Sequence, residues 1–192
     1  MSDNMPTPGF EPVSQDPYLE RVLVVAADED GVKEDPTTQN RGPRVDEYIR
    51  AVGLNPEGDP PYGYPWCMCF VYWCFEQAAM AMGQSNPCTR TAAVVRHWMT
   101  TKGKKLLAAD VAKDRSLVAP GMVFCKSSLE SHTGIVCQVT EAGILTIEGN
   151  TNEAGSREGN AVVAGKLRPW GYVQLGFIDY AGMSVSTAEP VS

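Results

Sequence analysis

PWCMCFVYWCFEQAAMAM, residues 65–82, is the stretch on which the fold turns. It is apolar nearly all round, the pattern of an element enclosed on every side. It is longer than a buried strand, and the Ala and Met residues toward its end favour helix. The reading is a helix in the middle of the fold. Its most apolar part, residues 66–75, is half the roughly 20 residues that span a bilayer, which excludes a transmembrane helix. The turn-rich NPEGDPPYGY, residues 55–64, leads into it. Pro65 suits the first helical position, which puts Cys67 in the first turn.

Outward from this helix, the chain changes character once. On the N-terminal side, residues 16–28 carry Leu19, Val22, Leu23 and Ala26 at helical spacing, with Asp16 as N-cap and Pro17 behind it. Residues 31–42 are loop, and residues 45–52 are a short helix ended by Gly53. Residues 91–101 read as a further helix with Ala92, Val95, Trp98 and Met99 on one side. After Pro120 the pattern becomes period two or short apolar runs, which predicts strands over 121–126, 133–140, 144–148, 161–166 and 174–180. Helices first and strands later predict an α+β fold, an antiparallel sheet packed on the central helix. Residues 1–16 read as a flexible arm, 17–180 as one catalytic domain and 181–192 as a flexible tail.

Charge narrows the function classes. Lys plus Arg number 16 and Asp plus Glu 23, a net charge of −7. That argues against binding nucleic acid or an anionic membrane through bulk charge. The first residues, MSDNMPTPGFEPVSQD, have neither a positive segment nor an apolar one, so no signal peptide is expected. The six cysteines have no paired C-x-x-C spacing, and the two histidines, His97 and His132, are far apart in the sequence. No metal and no cofactor are therefore expected. Asp28, Glu29, Asp30 and Glu34 have the oxygen chemistry of a calcium site, but the run is too short for an EF-hand loop and reads as a solvated, acidic helix end.

Two residues carry chemistry. A thiol in the first turn of a helix meets unpaired N–H groups and the positive end of the helix dipole, which lower its pKa and favour the thiolate. Cys67 is so placed. The alternative, a packing cysteine in a helix that holds two more, stays open at this point. Cys69, Cys74, Cys125 and Cys137 read as core, and Cys88 has no assigned role. His132 opens a strand after a polar loop. If the hairpin closes over residues 141–143 with Thr140 opposite Ile144, then Gly134 faces Asn150 and Val136 faces Glu148. Period two then puts His132, Glu148 and Asn150 on one face, where a carboxylate or amide fixes the imidazole. Gly134 would leave room for the ring, and a slip of one residue would spoil the arrangement. His97 reads as partly exposed or packing, without chemistry.

PWCMCFVYWCFEQAA, SHTGIVCQV and GILTIEGNTN, in this order, resemble the CHAP family of cysteine amidohydrolases and peptidases, relatives of the NlpC/P60 enzymes with a papain-like fold. The resemblance runs over about residues 17–180. It implies Cys67 as nucleophile, His132 as base, and Glu148 and Asn150 as polar partners. A small residue often stands where Cys69 does here, and no catalytic role transfers to that thiol. The implied activity is peptidoglycan hydrolysis, at the N-acetylmuramoyl–L-alanine amide or a stem or cross-bridge peptide bond. The oxyanion would meet the backbone N–H of Cys67 and a second donor such as Tyr64. Two alternatives remain: an inactive wall-binding module, and a cysteine protease or transamidase with a non-wall substrate. Without a signal peptide, the expectation is a protein made in the cytoplasm that reaches the periplasm or wall by phage-mediated release or by export as an antibacterial effector. An effector would have a cognate immunity protein as partner.

Overall fold

A computed structural model describes residues 13–58, 63–127, 131–152 and 159–187. Five α-helices and six strands lie along them: α1 (Pro17–Asp28), α2 (Pro43–Ala51), α3 (Cys67–Met82), α4 (Val94–Thr100), β1 (Lys104–Leu107), α5 (Ala108–Val111), β2 (Val123–Lys126), β3 (His132–Val139), β4 (Gly143–Thr151), β5 (Ala161–Pro169) and β6 (Gly176–Asp179). The strands form one antiparallel sheet in the order β1-β6-β2-β3-β4-β5. The α+β class expected from the sequence holds, with the Cys67 helix packed on the sheet as in a papain-like fold.

The central helix is enclosed. Every residue from Cys67 to Phe75 is buried, with α1 and α2 on one side and β3 and β4 on the other. Tyr48 of α2 packs its ring against Trp66, Phe70 and Trp73, with centroids 5.1–5.6 Å apart. Gly149 of β4 sits under the first turn of α3: a Cβ there would stand 2.7 Å from Phe70 Cβ and from Trp66 Cζ3. The sheet therefore approaches the helix closely at Trp66 and Phe70, on either side of Cys67 in sequence. A second, smaller core on the far face of the sheet gathers Phe124, Val136, Ile144 and Phe177.

Several boundaries differ from the sequence reading. Asp16 caps α1 as expected, its side chain accepting from the N–H groups of Tyr18 and Leu19. The central helix starts at Cys67 with Trp66 as N-cap, so Pro65 lies outside it rather than at its first position. Trp66 is held in place by its indole N–H, which donates to Glu34 Oε1 at 2.8 Å. In α4 the apolar stripe is not the buried one: Met99 is 71% and Val95 41% exposed, while His97, expected to be partly exposed or packing, is fully buried. β1 and α5 were not foreseen; KKLL is too short and too polar to signal a strand, and it is an edge strand beside β6.

The N-terminal arm expected over 1–16 is described only from residue 13. Of the tail expected over 181–192, residues 181–187 are described, and they are tied down. Ser85 N–H donates to Val185 O at 2.8 Å and Thr187 N–H to Gly83 O at 2.9 Å, closing the chain over the C-terminus of α3. No helix among the described residues is long and apolar enough to cross a membrane.

The tight seam under α3 generates a stability prediction. Gly149→Ala overpacks the contact with Phe70 and Trp66 and should cost about 1–3 kcal/mol. A urea unfolding curve is expected to show a lower midpoint at unchanged slope.

Candidate active site

The site is assembled at one end of the sheet from three elements. α3 delivers Cys67 at its first position, where the backbone N–H has no partner within the helix. β3 delivers His132 as its first residue, and β4 delivers Glu148. His132 and Glu148 lie on the face of the smaller core: the imidazole packs 6.1 Å from the Phe124 ring. α3 covers the opposite face, where Cys125, Ile135 and Ile147 belong to the main core. Cys67 and His132 thus meet around the sheet's end rather than across its surface.

His132 Nε2 bonds Glu148 Oε2 at 2.8 Å, and both side chains are buried. Nδ1 makes no hydrogen bond to the described residues. The Cys67 thiol lies next to the ring and is coupled to it electrically. Burial alone would depress the imidazole's pKa; Cys67 and Glu148 outweigh it and raise the value to about 9. The ring is therefore an imidazolium at neutral pH. Burial pushes the Glu148 carboxyl the other way, toward the neutral acid, but Arg168 and His132 overcome this and hold it down at about 2. Thr146 Oγ1 donates to Glu148 Oε1 at 2.6 Å, and Arg168 Nε donates to the same oxygen at 2.7 Å. Sequence reasoning missed Arg168 because the strand expected over 161–166 ended before it.

The hairpin reaches this arrangement by a different register from the one expected. Val139, not Thr140, pairs with Ile144, and Cys137 is an extra residue bulged between Val136 and Gln138. Each change slips the pairing by one residue. Together they slip it by two, so Glu148 returns to the face of His132. The space that Gly134 leaves is filled by Glu148 and not by the imidazole: a Cβ at Gly134 would stand 2.6 Å from Glu148 Cγ.

The remaining expected site residues are less engaged. Asn150 is buried beyond Glu148 in a left-handed conformation (φ 54°), and its Oδ1 has no hydrogen-bond partner among the described residues. Glu148, not Asn150, accepts the hydrogen bond from His132 Nε2. Tyr64 is half-buried and packs at the edge of the main core, three residues before Cys67. All six cysteines are free and buried. Burial pushes the thiols of Cys69, Cys74, Cys88, Cys125 and Cys137 up, so these remain protonated. Cys88 now has a place, with Sγ 3.8 Å from His97 Nε2.

Of the acidic residues weighed for calcium, Asp28 and Asp30 are exposed at the end of α1, as a solvated helix end would be, while Glu29 and Glu34 are used otherwise. Glu29 accepts from Arg44 and Tyr48, Asp30 from the N–H of Ala164, and Glu34 from Trp66 and the N–H of Asn40. No group of three or more His, Cys, Asp or Glu able to hold a metal occurs among the described residues. A separate groove of about 740 Å³ between α1, α2 and α3, bordered by Arg44, Trp73 and Met80, does not include Cys67 or His132.

Residues 59–150 match the family model of the CHAP domain. Over this segment, just under half of its length, the chain is similar to CHAP domains. The matched segment spans Cys67, His132, Glu148 and Asn150 and stops short of Arg168. It assigns the protein to a class of amidase and peptidase hydrolases. Comparison with curated proteins finds no match, and comparison with solved structures finds none.

The two histidines make the stability of the protein pH-dependent in opposite directions. His132 is raised from 6.5 to about 9, so its contribution is complete below pH 6.5 and is lost as the pH rises through 9. Burial lowers His97 from 6.5 to about 4, so its contribution is complete above pH 6.5 and is lost as the pH falls through 4. Thermal unfolding followed across pH should peak near 6.5. His132→Gln should flatten the alkaline side and His97→Gln the acid side.

Proposed function

We propose that the protein is a peptidoglycan hydrolase that cuts an amide bond by a thiolate mechanism, either the N-acetylmuramoyl–L-alanine amide or a peptide bond of the stem or cross-bridge. The observation that carries this reading is the buried His132 ring, bonded to the Glu148 carboxylate and coupled to Cys67, within the segment that matches the CHAP family model. The Cys67 thiolate, paired with the imidazolium, attacks the carbonyl carbon. The tetrahedral oxyanion is met by the Cys67 backbone N–H at the start of α3, with Tyr64 as a candidate second donor. His132 gives its proton to the leaving amine nitrogen, and the C–N bond breaks to leave a thioester. His132 then takes a proton from water, the hydroxide attacks the thioester, and the C–S bond breaks with return of the proton to the site.

Glu148 keeps the ring oriented through these steps and favours its charged form. Asn150 completes the set, its Oδ1 having no partner among the described residues. The substrate is taken to be the wall itself. The chain acts outside the cytoplasm, as a lysin released during phage lysis or as an exported antibacterial effector, and an effector is accompanied by an immunity protein that plugs the entrance at Cys67 and His132.

Digestion of purified sacculi, with mass spectrometry of the fragments, tests the activity and names the bond. Cys67→Ala should abolish hydrolysis with the fold intact, while Cys69→Ala retains it. His132→Ala should lose about 10²–10⁴-fold, and Glu148→Gln and Asn150→Ala should lose less. Full activity in Cys67→Ala would overturn the mechanism, and unchanged sacculi the substrate.

Delivery is tested separately. Expression confined to the cytoplasm should be tolerated, and fusion to a periplasmic export signal should cause lysis that Cys67→Ala prevents. Lysis by the exported Cys67→Ala variant would count against this reading.

A further inference from the structure

We infer that Arg168 is a positioning residue of the active site: its guanidinium fixes both oxygens of Glu148, so that the carboxylate serves His132 as an immovable anion and not as a proton acceptor. The inference rests on the hydrolase reading above and deepens it. Arg168 lies in β5, outside the segment that carries the family match.

The geometry leaves Glu148 no freedom. Arg168 Nε donates to Oε1 at 2.7 Å, and Nη2 donates to Oε2. Thr146 Oγ1 fills the second position on Oε1 and His132 Nε2 the second on Oε2. A carboxylate has about four acceptor positions, and here four donors occupy them. Rotating Glu148 to any other orientation would break two charged hydrogen bonds at once. The guanidinium is itself pinned, with its carbon 4.2 Å from the centroid of the Tyr172 ring and Nη2 3.4 Å from Thr151 Oγ1. Arg168 and Glu148 are both buried, so neither can exchange its partner for water.

The arrangement also settles where charge sits. A buried carboxylate facing only an imidazolium has an escape: the proton crosses, and two neutral groups remain. A guanidinium does not give up its proton, so with Arg168 present the anion persists. The charged and titratable groups around Glu148 are His132 and Cys137 on β3, Arg168 on β5, Tyr172 in the turn after β5, and Cys67 beyond the imidazole on α3. Lys126 of β2 stands 5.1 Å from the Tyr172 ring. Of the cations that contact Glu148, Arg168 is the one that is permanent.

The test uses Arg168→Gln and Arg168→Lys in the full chain, with two readouts. The first is sacculus hydrolysis against pH. Arg168→Gln should lower kcat on the order of 10- to 100-fold with KM little changed, and the acid limb of the profile should move up by about 1–3 in pH as Glu148 becomes able to take a proton. Arg168→Lys keeps a cation without the fork, so the acid limb should stay near that of the unaltered protein while kcat still falls.

The second readout needs no substrate. The chain has two histidines, so nitrogen-15 NMR of the histidine rings reports His132 directly, with His97→Gln to assign it. Arg168→Gln should add a titration step near neutral pH to the His132 signal that the unaltered protein lacks. A folded Arg168→Gln with the original pH profile and the original ring titration would overturn the inference, as would loss of activity with both unchanged. If Arg168→Gln does not fold, Arg168→Lys decides, and an unchanged kcat there overturns it. If the unaltered protein leaves sacculi intact, the hydrolase reading fails while the ring titration still judges Arg168.

Discussion

The structure depends on one requirement, that a helix apolar on every side be covered on every side. Sixteen residues of α3 expose almost nothing of their first half, and no single layer can achieve that. The sheet closes one flank and α1 and α2 close the other. The flanks of that first half are therefore covered, which leaves its N-terminal end. The N-terminal end is where unpaired N–H groups point outward, and Cys67 occupies it. The location of the candidate nucleophile is thus a by-product of how the core is packed. Glu34, Trp66 and the Tyr48 ring set that end rigidly, and Gly149 lets the sheet come close enough to bring His132 alongside.

The two histidines show how much the surroundings decide. Both are buried, and burial alone favours the neutral ring. His97 has Tyr180 and Cys88 beside it, neutral partners that do nothing to reverse this. His132 has an anion, and the anion is itself kept charged by Arg168. The difference between a packing histidine and one able to give and take protons is Cys67 beside it and a carboxylate with a guanidinium behind it. The cysteines divide on the same principle: five thiols sit in apolar surroundings that penalise the thiolate, and one faces an imidazolium.

Much of this was legible in the sequence because strong local signals coincided. The composition of residues 66–75 left no choice but a buried helix, and Asp16-Pro17 marked the start of α1 to the residue. Period two in β3 and β4 was enough to bring His132 and Glu148 together. The register itself was not legible. A bulge at Cys137 has no mark in the sequence, and the hairpin turn is one residue longer than expected. The two departures compensate, so the pairing of His132 with Glu148 survived although each assumed neighbour was different. Arg168 was hidden for another reason: the strand expected over 161–166 ended before it, and only the fold shows that β5 carries it beside a buried carboxylate. The exposed Met99 and buried His97 of α4 show the same limit, since a short helix takes its orientation from what it lands on.

The dependence of Glu148 on β5 bears on what can be treated as a self-contained part. The segment that bears the family signature ends at residue 150, yet the buried carboxylate within it is balanced by a residue contributed later in the chain. Excising the signature, or grafting it into another scaffold, would carry an acid without its counter-ion. The smallest transplantable unit of this chemistry therefore extends through Tyr172. Sequence families drawn around shared motifs will place the border of such a unit too early wherever the compensating charge comes from a neighbouring strand.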